Sequence, residues 1–301
     1  MNMNKKKLLG SSVIFVTGFA AFFLVAIVLI MLVMIFMGGR DHLTLEFLTQ
    51  TPSEGMTAGG IFPAIFGTAL LVILMSLVGV PIGTITAIYL TEYSRQNSIF
   101  TRMIQFAIST LAGIPAIVFG LFGLGFFIQF VGHGMDKVVS GEGVIRWGQP
   151  NLLWASLTMA LLTLPVVIVS VEEALRTVPR DLREASLALG ATKFQTIWKI
   201  VLPNAMTGVL TGAILAVGRG AGEVAPILFT GVAYFLPDLP QSLSDQFMQL
   251  GYHLYVMSTQ STDVEATKGI QYASAFVLLA MTFSMNLVAV LFRYKIRNKH
   301  G

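Results

Sequence analysis

The 301-residue chain contains no cysteine, which excludes disulfide staples and thiolate metal sites. Charge is scarce too. Asp, Glu, Lys and Arg together make up 11% of the residues, against about 25% in an ordinary soluble domain. Hydrophobic residues make up 55% and the mean hydropathy is +0.78. A chain so poor in charge cannot hide its apolar surface in a single aqueous core, so it reads as an all-α integral membrane protein. No G-x-x-x-x-G-K-[ST] loop occurs, so a phosphate cradle of that type is absent. The histidines His42, His133, His253 and His300 are scattered and show no H-E-x-x-H spacing. No Ser/His/Asp arrangement, low-complexity tract or internal repeat is evident, and neither a catalytic nor a metal site is expected.

What is present is a series of uncharged runs. About 20 apolar residues cross a bilayer as a helix. Ser12 to Met37 is one such run, longer than a secretory h-region of roughly 7–15 residues and so expected to be a retained anchor. Further spans are expected at about 65–90, 103–131, 152–171, 207–234 and 272–292, giving six in all. A polar stretch from Gly38 to Gly60, with Glu46 and Glu54, follows the anchor. A long polar loop occupies 172–206, and a short amphipathic helix is expected near 243–257. Proline and glycine recur inside spans two to five (Pro81, Pro115, Pro165). Such residues are tolerated where neighbours or water satisfy the freed backbone groups, which argues for a packed bundle around a cavity. Membrane helices are also simply richer in both residues.

Six spans put both termini on one side. That side carries Lys5, Lys6, Lys7, Arg95, Arg102, Arg176, Arg180, Arg183, Lys193, Lys199, Arg293, Lys295, Arg297 and Lys299. The other side carries Arg40, Lys137, Arg146 and Lys268. The positive-inside rule then makes the termini and the 172–206 loop cytoplasmic. The net charge of +4 is accordingly a topology signal that needs no nucleic-acid partner.

Within the loop, Pro179 and Asp181 suit a helix start. Gly190 suits its end, and Thr192 suits the cap of a second helix. In that second helix Phe194, Ile197, Trp198 and Val201 recur at three- and four-residue spacing as an apolar stripe, and Pro203 is expected to end it. The result is a helix–turn–helix knuckle. It can serve as a docking surface for another protein or as a hairpin lying on the lipid. Glu92 and Arg95 at the end of the second span read as snorkelling anchors.

Arg219 and Glu223 lie inside the fifth apolar run. An Arg at the centre of a spanning helix costs roughly 2.5–3.5 kcal/mol, so it is expected to face the bundle interior. The two are four residues apart, in the less favourable order for an intrahelical pair, which suggests second partners across an interface. A guanidinium fork matches an oxyanion. A carboxylate beside it accepts hydrogen bonds from a protonated phosphate and repels fully deprotonated sulfate. The alternative is an ion pair that only fixes helix packing. The Gly218–Glu223 run fails the G-x-G-x-x-G spacing of a nucleotide loop.

Glu184-Ala185-Ser186, three residues, Gly190, nine residues, then Ile200-Val201-Leu202-Pro203 resembles the EAA motif of permease subunits of bacterial ATP-driven importers. The departure is Ser186, where the motif has a second Ala. The flanks LPVVIVSVEEALRTVP (164–179) and GRGAGEVAPILFTG (218–231), with GIPAIVFGLFGLG (113–125), are similar to the phosphate-specific branch and its PstA-type subunit. The resemblance spans about 65–292. It implies a type I importer (MetI-like) fold, with an anchor and first outer loop at 1–60, a five-helix core at 61–295 and a basic tail at 296–301. It implies that Glu184, Ala185, Ser186, Gly190, Leu202 and Pro203 belong to a coupling region inserted into an ATP-binding subunit, itself a homodimer holding ATP and Mg. It further implies a companion PstC-type permease, an extracytoplasmic phosphate-binding protein, and no cofactor bound by this chain. Sulfate- or molybdate-type permeation and a membrane-embedded lipid-phosphate enzyme are the alternatives. A passive channel has no need of the EAA loop.

Overall fold

In lipid, an uncharged run can satisfy its backbone polar groups within itself only as a helix, and the computed structural model is helical along most of each such run. It describes residues 3–53, 56, 58–95, 98–140, 145–261 and 263–300. Glu54, Gly301 and the side chains of Lys5–Lys7, Arg297, Lys299 and His300 lie outside the described residues. Among the described residues six helical stretches are long and apolar enough to cross a membrane: Ser12–His42, Phe62–Tyr93, Ala116–Val139, Leu152–Thr177, Lys193–Gly222 and Lys268–Lys295.

In chain order, α1 (Met3–Gly39) leads through a 3-10 turn to α2 (Leu45–Thr49) and a two-residue antiparallel hairpin, β1 (Pro52–Ser53) with β2 (Ala58–Gly59). Helix α3 (Phe62–Ile88) continues through a π turn at Tyr89–Tyr93. Next come α4 (Ile99–Gly113), α5 (Ala116–Phe122) with its π-helical extension to Gly132, and α6 (His133–Met135). Helix α7 (Leu152–Thr177) is followed by α8 (Arg180–Ala188), α9 (Lys193–Thr196), α10 (Leu202–Gly222), α11 (Leu250–Thr259) and α12 (Lys268–His300).

Helix α7 is the centre of the bundle. Trp154, Met159, Leu162, Val167, Val171 and Leu175 along its length are all buried, between α3 on one side and α10 on the other. By contrast α1 buries almost nothing. It rests on α12 through Phe36 against Phe276, with ring centroids 5.3 Å apart, and through Gly38 and Gly39 against Tyr272 and Ala273. Most of its other described apolar side chains are exposed, as suits a helix whose solvent is lipid. Three buried hydroxyls in the spans bond back to the carbonyl one turn earlier (Thr68 to Ala64, Ser156 to Leu152, Thr158 to Trp154), which meets their polar groups inside the helix, whereas the hydroxyls of Ser76, Thr84 and Ser274 are buried without a partner among the described residues.

Several boundaries differ from the sequence expectation, and proline explains most of them. The third run is split. Ile114 is extended (ψ 133°) because Pro115 excludes it from the helical region, so α4 and α5 are separate helices. Pro203 does not end a helix. The π turn at Ile197–Val201 lies immediately before it and widens the backbone where the proline ring would otherwise strike the preceding turn. The Asn204 side chain donates to Ile200 O at 2.7 Å, serving a carbonyl close to the proline. Lys193–Gly222 is therefore one uninterrupted helix. The fifth span accordingly starts before 207 and stops at Gly222 rather than at Tyr234. Helix α7 runs to Thr177, so the 172–206 stretch includes its last turn, and the short helix expected near 243–257 is α11.

The chain between α10 and α11 is irregular yet buried at Ile227, Thr230, Phe247 and Met248. Gln249 ties its two ends together. Its Nε2 donates to Ala221 O (3.1 Å) at the end of α10, and its Oε1 accepts from Tyr252 N (2.6 Å) at the start of α11. Thr68 on α3 accepts from Leu250 N at 2.9 Å.

Helix α11 is too short to span and carries His253, which is 2% exposed with an unpartnered Nδ1. Burial lowers its pKa from 6.5 to about 4. The folded state thus holds the ring neutral while the unfolded chain protonates it. No penalty exists above pH 6.5, and a penalty grows as pH falls toward 4, on the order of 3 kcal/mol at its limit. We predict that replacing His253 by Gln flattens this part of the pH dependence of thermal stability. Equal acid sensitivity in the wild type and in His253→Gln would contradict it.

Candidate functional site

The knuckle follows from local chemistry. Pro179 caps α8, and the helix closes in a Schellman motif: Gly190 N donates to Leu187 O (3.0 Å) and Ala191 N to Ser186 O (3.2 Å). This closure needs a residue in the left-handed region, and Gly190 has φ +84°. Thr192 and Gln195 then form a reciprocal capping box (3.3 and 2.9 Å) that starts α9. Ser186 Oγ and Thr196 Oγ1 lie 2.9 Å apart and join the two limbs, a bond that an Ala at 186 lacks.

The expected apolar stripe divides. Ile197 and Val201 are buried against α7, whereas Phe194 and Trp198 are exposed and stack on each other, with centroids 6.0 Å apart and planes at 8°. Glu184, Ala185 and Gly190 are exposed and Ser186 is half-buried. Leu202 packs inward on the α7–α10 cluster and Pro203 is half-buried beside it, so these two shape the base of the knuckle rather than its tip.

Arg183 holds α8 in place. Its Nη2 meets Glu92 Oε1 at 2.8 Å and Leu175 O at 2.8 Å, and its Nη1 donates to Val178 O at 2.5 Å. The guanidinium thereby serves carbonyls at the end of α7, where the helix leaves its last C=O groups without a full set of i+4 partners. The two side chains of this ion pair are only 18% and 10% exposed. Glu92 is thus no snorkelling anchor. Sequence spacing carried no signal for a pair 91 residues apart. The only cue was a lone acid at a span end beside a basic loop. A cleft of about 880 Å³ opens next to the pair, lined by Thr91, Gln105, Arg176, Arg180 and Glu184 among others.

The second site is at the end of α10. Glycines at 218, 220 and 222 weaken the helix, and Pro226 blocks its continuation. Arg219 is in the last turn, beside the negative end of the helix dipole, which offsets part of its cost. Glu223 lies just past the helix in extended backbone (φ −77°, ψ 130°), so the orientation rule for pairs within a helix does not apply. Arg219 Nε meets Glu223 Oε1 at 3.3 Å, with the side chains 37% and 27% exposed. Neither has a second ion-pair partner among the described residues. Gly220, between them, packs on Met75, about half-way along α3, and close to Met159 of α7. The pair therefore sits about half-way along the bundle, on a partly exposed face. Among the described residues no group of His, Cys, Asp or Glu is arranged to hold a metal.

Residues 79–298 match the family described as binding-protein-dependent transport system inner membrane component. The chain is 30% identical over 283 residues to the probable ABC transporter permease protein YqgI of Bacillus subtilis (90% of each chain covered). It is 33% identical over 238 residues to the phosphate transport system permease protein PstA of Mycobacterium leprae (79% of this chain, 71% of the relative). It is 35% identical over 210 residues to PstA of Yersinia pestis (69% and 65%). In fold it is similar to a chain of a bacterial alginate ABC transporter (TM-score 0.60, 17% identity, 96% and 93% covered) and to one of the MetNI methionine transporter (TM-score 0.51, 18% identity, 79% and 94%).

Proposed function

Because the chain belongs to the family of binding-protein-dependent transport system inner membrane components, and is thus a multi-pass protein of the bacterial inner membrane, we propose that it is the phosphate-translocating permease subunit of an ATP-driven importer. The observation that carries the substrate is the Arg219–Glu223 pair: a guanidinium paired with Glu223 alone among the described residues and a carboxylate acceptor, about half-way along an apolar bundle and open on one side. Monoprotonated phosphate presents both acceptors and a donor to such a pair, whereas sulfate presents acceptors only. The relatives named as phosphate permeases support the same reading.

The remaining parts fit alternating access. The knuckle, at the end of the bundle holding both termini, docks on a homodimeric ATP-binding subunit. The positive-inside bias puts that end in the cytoplasm. ATP hydrolysis and its Mg belong to that subunit, and this chain is not catalytic. A related PstC-type permease forms the other half of the pathway, and an extracytoplasmic phosphate-binding protein delivers the solute. A sulfate- or molybdate-type substrate is the second reading. The test is ATPase activity of the reconstituted complex with its binding protein. Stimulation by phosphate and not by sulfate is expected, and stimulation by sulfate alone would overturn the assignment.

A further inference from the structure

Helix α8 buries none of its described residues, so apolar packing does not hold it to the bundle. Its covalent link to α7 is a pair of extended residues, Val178 (ψ 124°) and Pro179 (ψ 140°). What fixes the knuckle must therefore be a set of specific contacts, and these converge on the π turn at the end of α3. Glu92 takes Arg183 of α8 through Nη2 (2.8 Å) and Nε (3.2 Å). The next residue, Tyr93, places its ring 5.0 Å from Lys193 Nζ, the first residue of α9. Consecutive side chains on a helical turn point in different directions, roughly a quarter of a turn apart, so one turn can address both limbs, which diverge at Gly190. The Ser186–Thr196 bond then closes the limbs on each other.

We propose that Tyr89–Tyr93 is a two-point clamp, with Glu92 and Tyr93 as positioning residues that make α3 and the knuckle move as one body. The inference rests on the reading that the knuckle receives force from an ATP-binding subunit, and it adds the route by which that force enters the bundle. Arg183 extends the grip to α7 through the Leu175 and Val178 carbonyls. Displacement of α8 is thus delivered to α3 and α7 together. Helix α10 receives it covalently, being continuous with α9.

The chain has no cysteine, so two introduced labels are unique. Ile85→Cys on α3 and Leu187→Cys on α8 are both at exposed positions. Spin labels there report one distance in the assembled complex, measured without nucleotide and after trapping with ADP and vanadate. One narrow distribution that does not shift between the two states is expected. In the Glu92→Gln/Tyr93→Leu double variant the distribution broadens. ATP hydrolysis persists, while solute moved per ATP falls roughly 2- to 30-fold, the range of a coupling term carried by a few side chains. Tyr93→Phe keeps the ring and is expected to behave as wild type. A shift in the parent distance between the nucleotide states would overturn the clamp. So would an unaltered distribution and normal coupling in the double variant, or a Tyr93→Phe defect equal to that of Tyr93→Leu. The distance readout needs no transported solute, so a complex indifferent to phosphate would refute the substrate reading and leave this test intact.

Discussion

Replacing Arg219 by alanine is expected to leave the complex assembled and to abolish phosphate uptake. The side chain is 37% exposed and pairs with Glu223 alone among the described residues, so the fold does not depend on it. Its value lies in the transported ion. Each hydrogen bond between a guanidinium and an anion is worth roughly 1.5–3 kcal/mol. Losing two of them slows passage by about a hundred-fold or more, which in a cell assay reads as no uptake. Arg219→Lys keeps the charge but loses the planar fork and is expected to recover only part of the rate. Glu223→Gln keeps the shape while removing the anionic acceptor, so uptake falls and preference for protonated phosphate weakens. Uptake of radiolabelled phosphate, with copurification of the subunits as the assembly control, decides the matter. Normal uptake in both Arg219→Ala and Glu223→Gln would reduce the pair to a packing device.

Gly208→Val is expected to prevent accumulation of folded protein. A Cβ at Gly208 would overlap the Ala174 methyl and stand 3.3 Å from its Cα, where α10 crosses α7. Ala174 has no torsion by which to swing aside, and both helices are pinned along their length by buried Val167, Val171, Ala205 and Val209. The helices must separate, and overpacking of this kind costs about 1–3 kcal/mol or more. Membrane helices associate through such small-residue contacts, so the loss falls on the interface that joins the knuckle's own helix to the bundle centre. The contrast is Gly220→Ala, where the obstructing atoms are the flexible end of Met75, which can rotate away. Detergent-extracted yield and melting temperature separate the two, and a wild-type melting point for Gly208→Val would refute the argument.

Whatever depended on neighbours in the chain was legible in the sequence. The six spans follow from charge depletion over runs of bilayer length. The knuckle follows from Pro179, Gly190 and Thr192, each acting on its own backbone within a turn. The Arg219–Glu223 pair was legible because its members are four residues apart and isolated in an apolar run. Prolines were read less well. Pro115 breaks a helix, while Pro81, Pro165 and Pro203 do not. The outcome depends on whether surrounding structure serves the carbonyl that proline leaves unbonded, as the π turn and Asn204 do at Pro203.

The sequence by itself therefore determined that this is a membrane bundle with a polar knuckle, and where its charge lies, because burial in lipid and helix capping are local requirements. Only the tertiary structure decided that α10 stops half-way along the bundle at Gly222, that Gln249 ties its end to α11, and that Glu92 grips Arg183 rather than the lipid surface. Those contacts join residues 28 and 91 positions apart. Their energy comes from withholding paired polar groups from an apolar surround, a condition that exists only once the helices have packed.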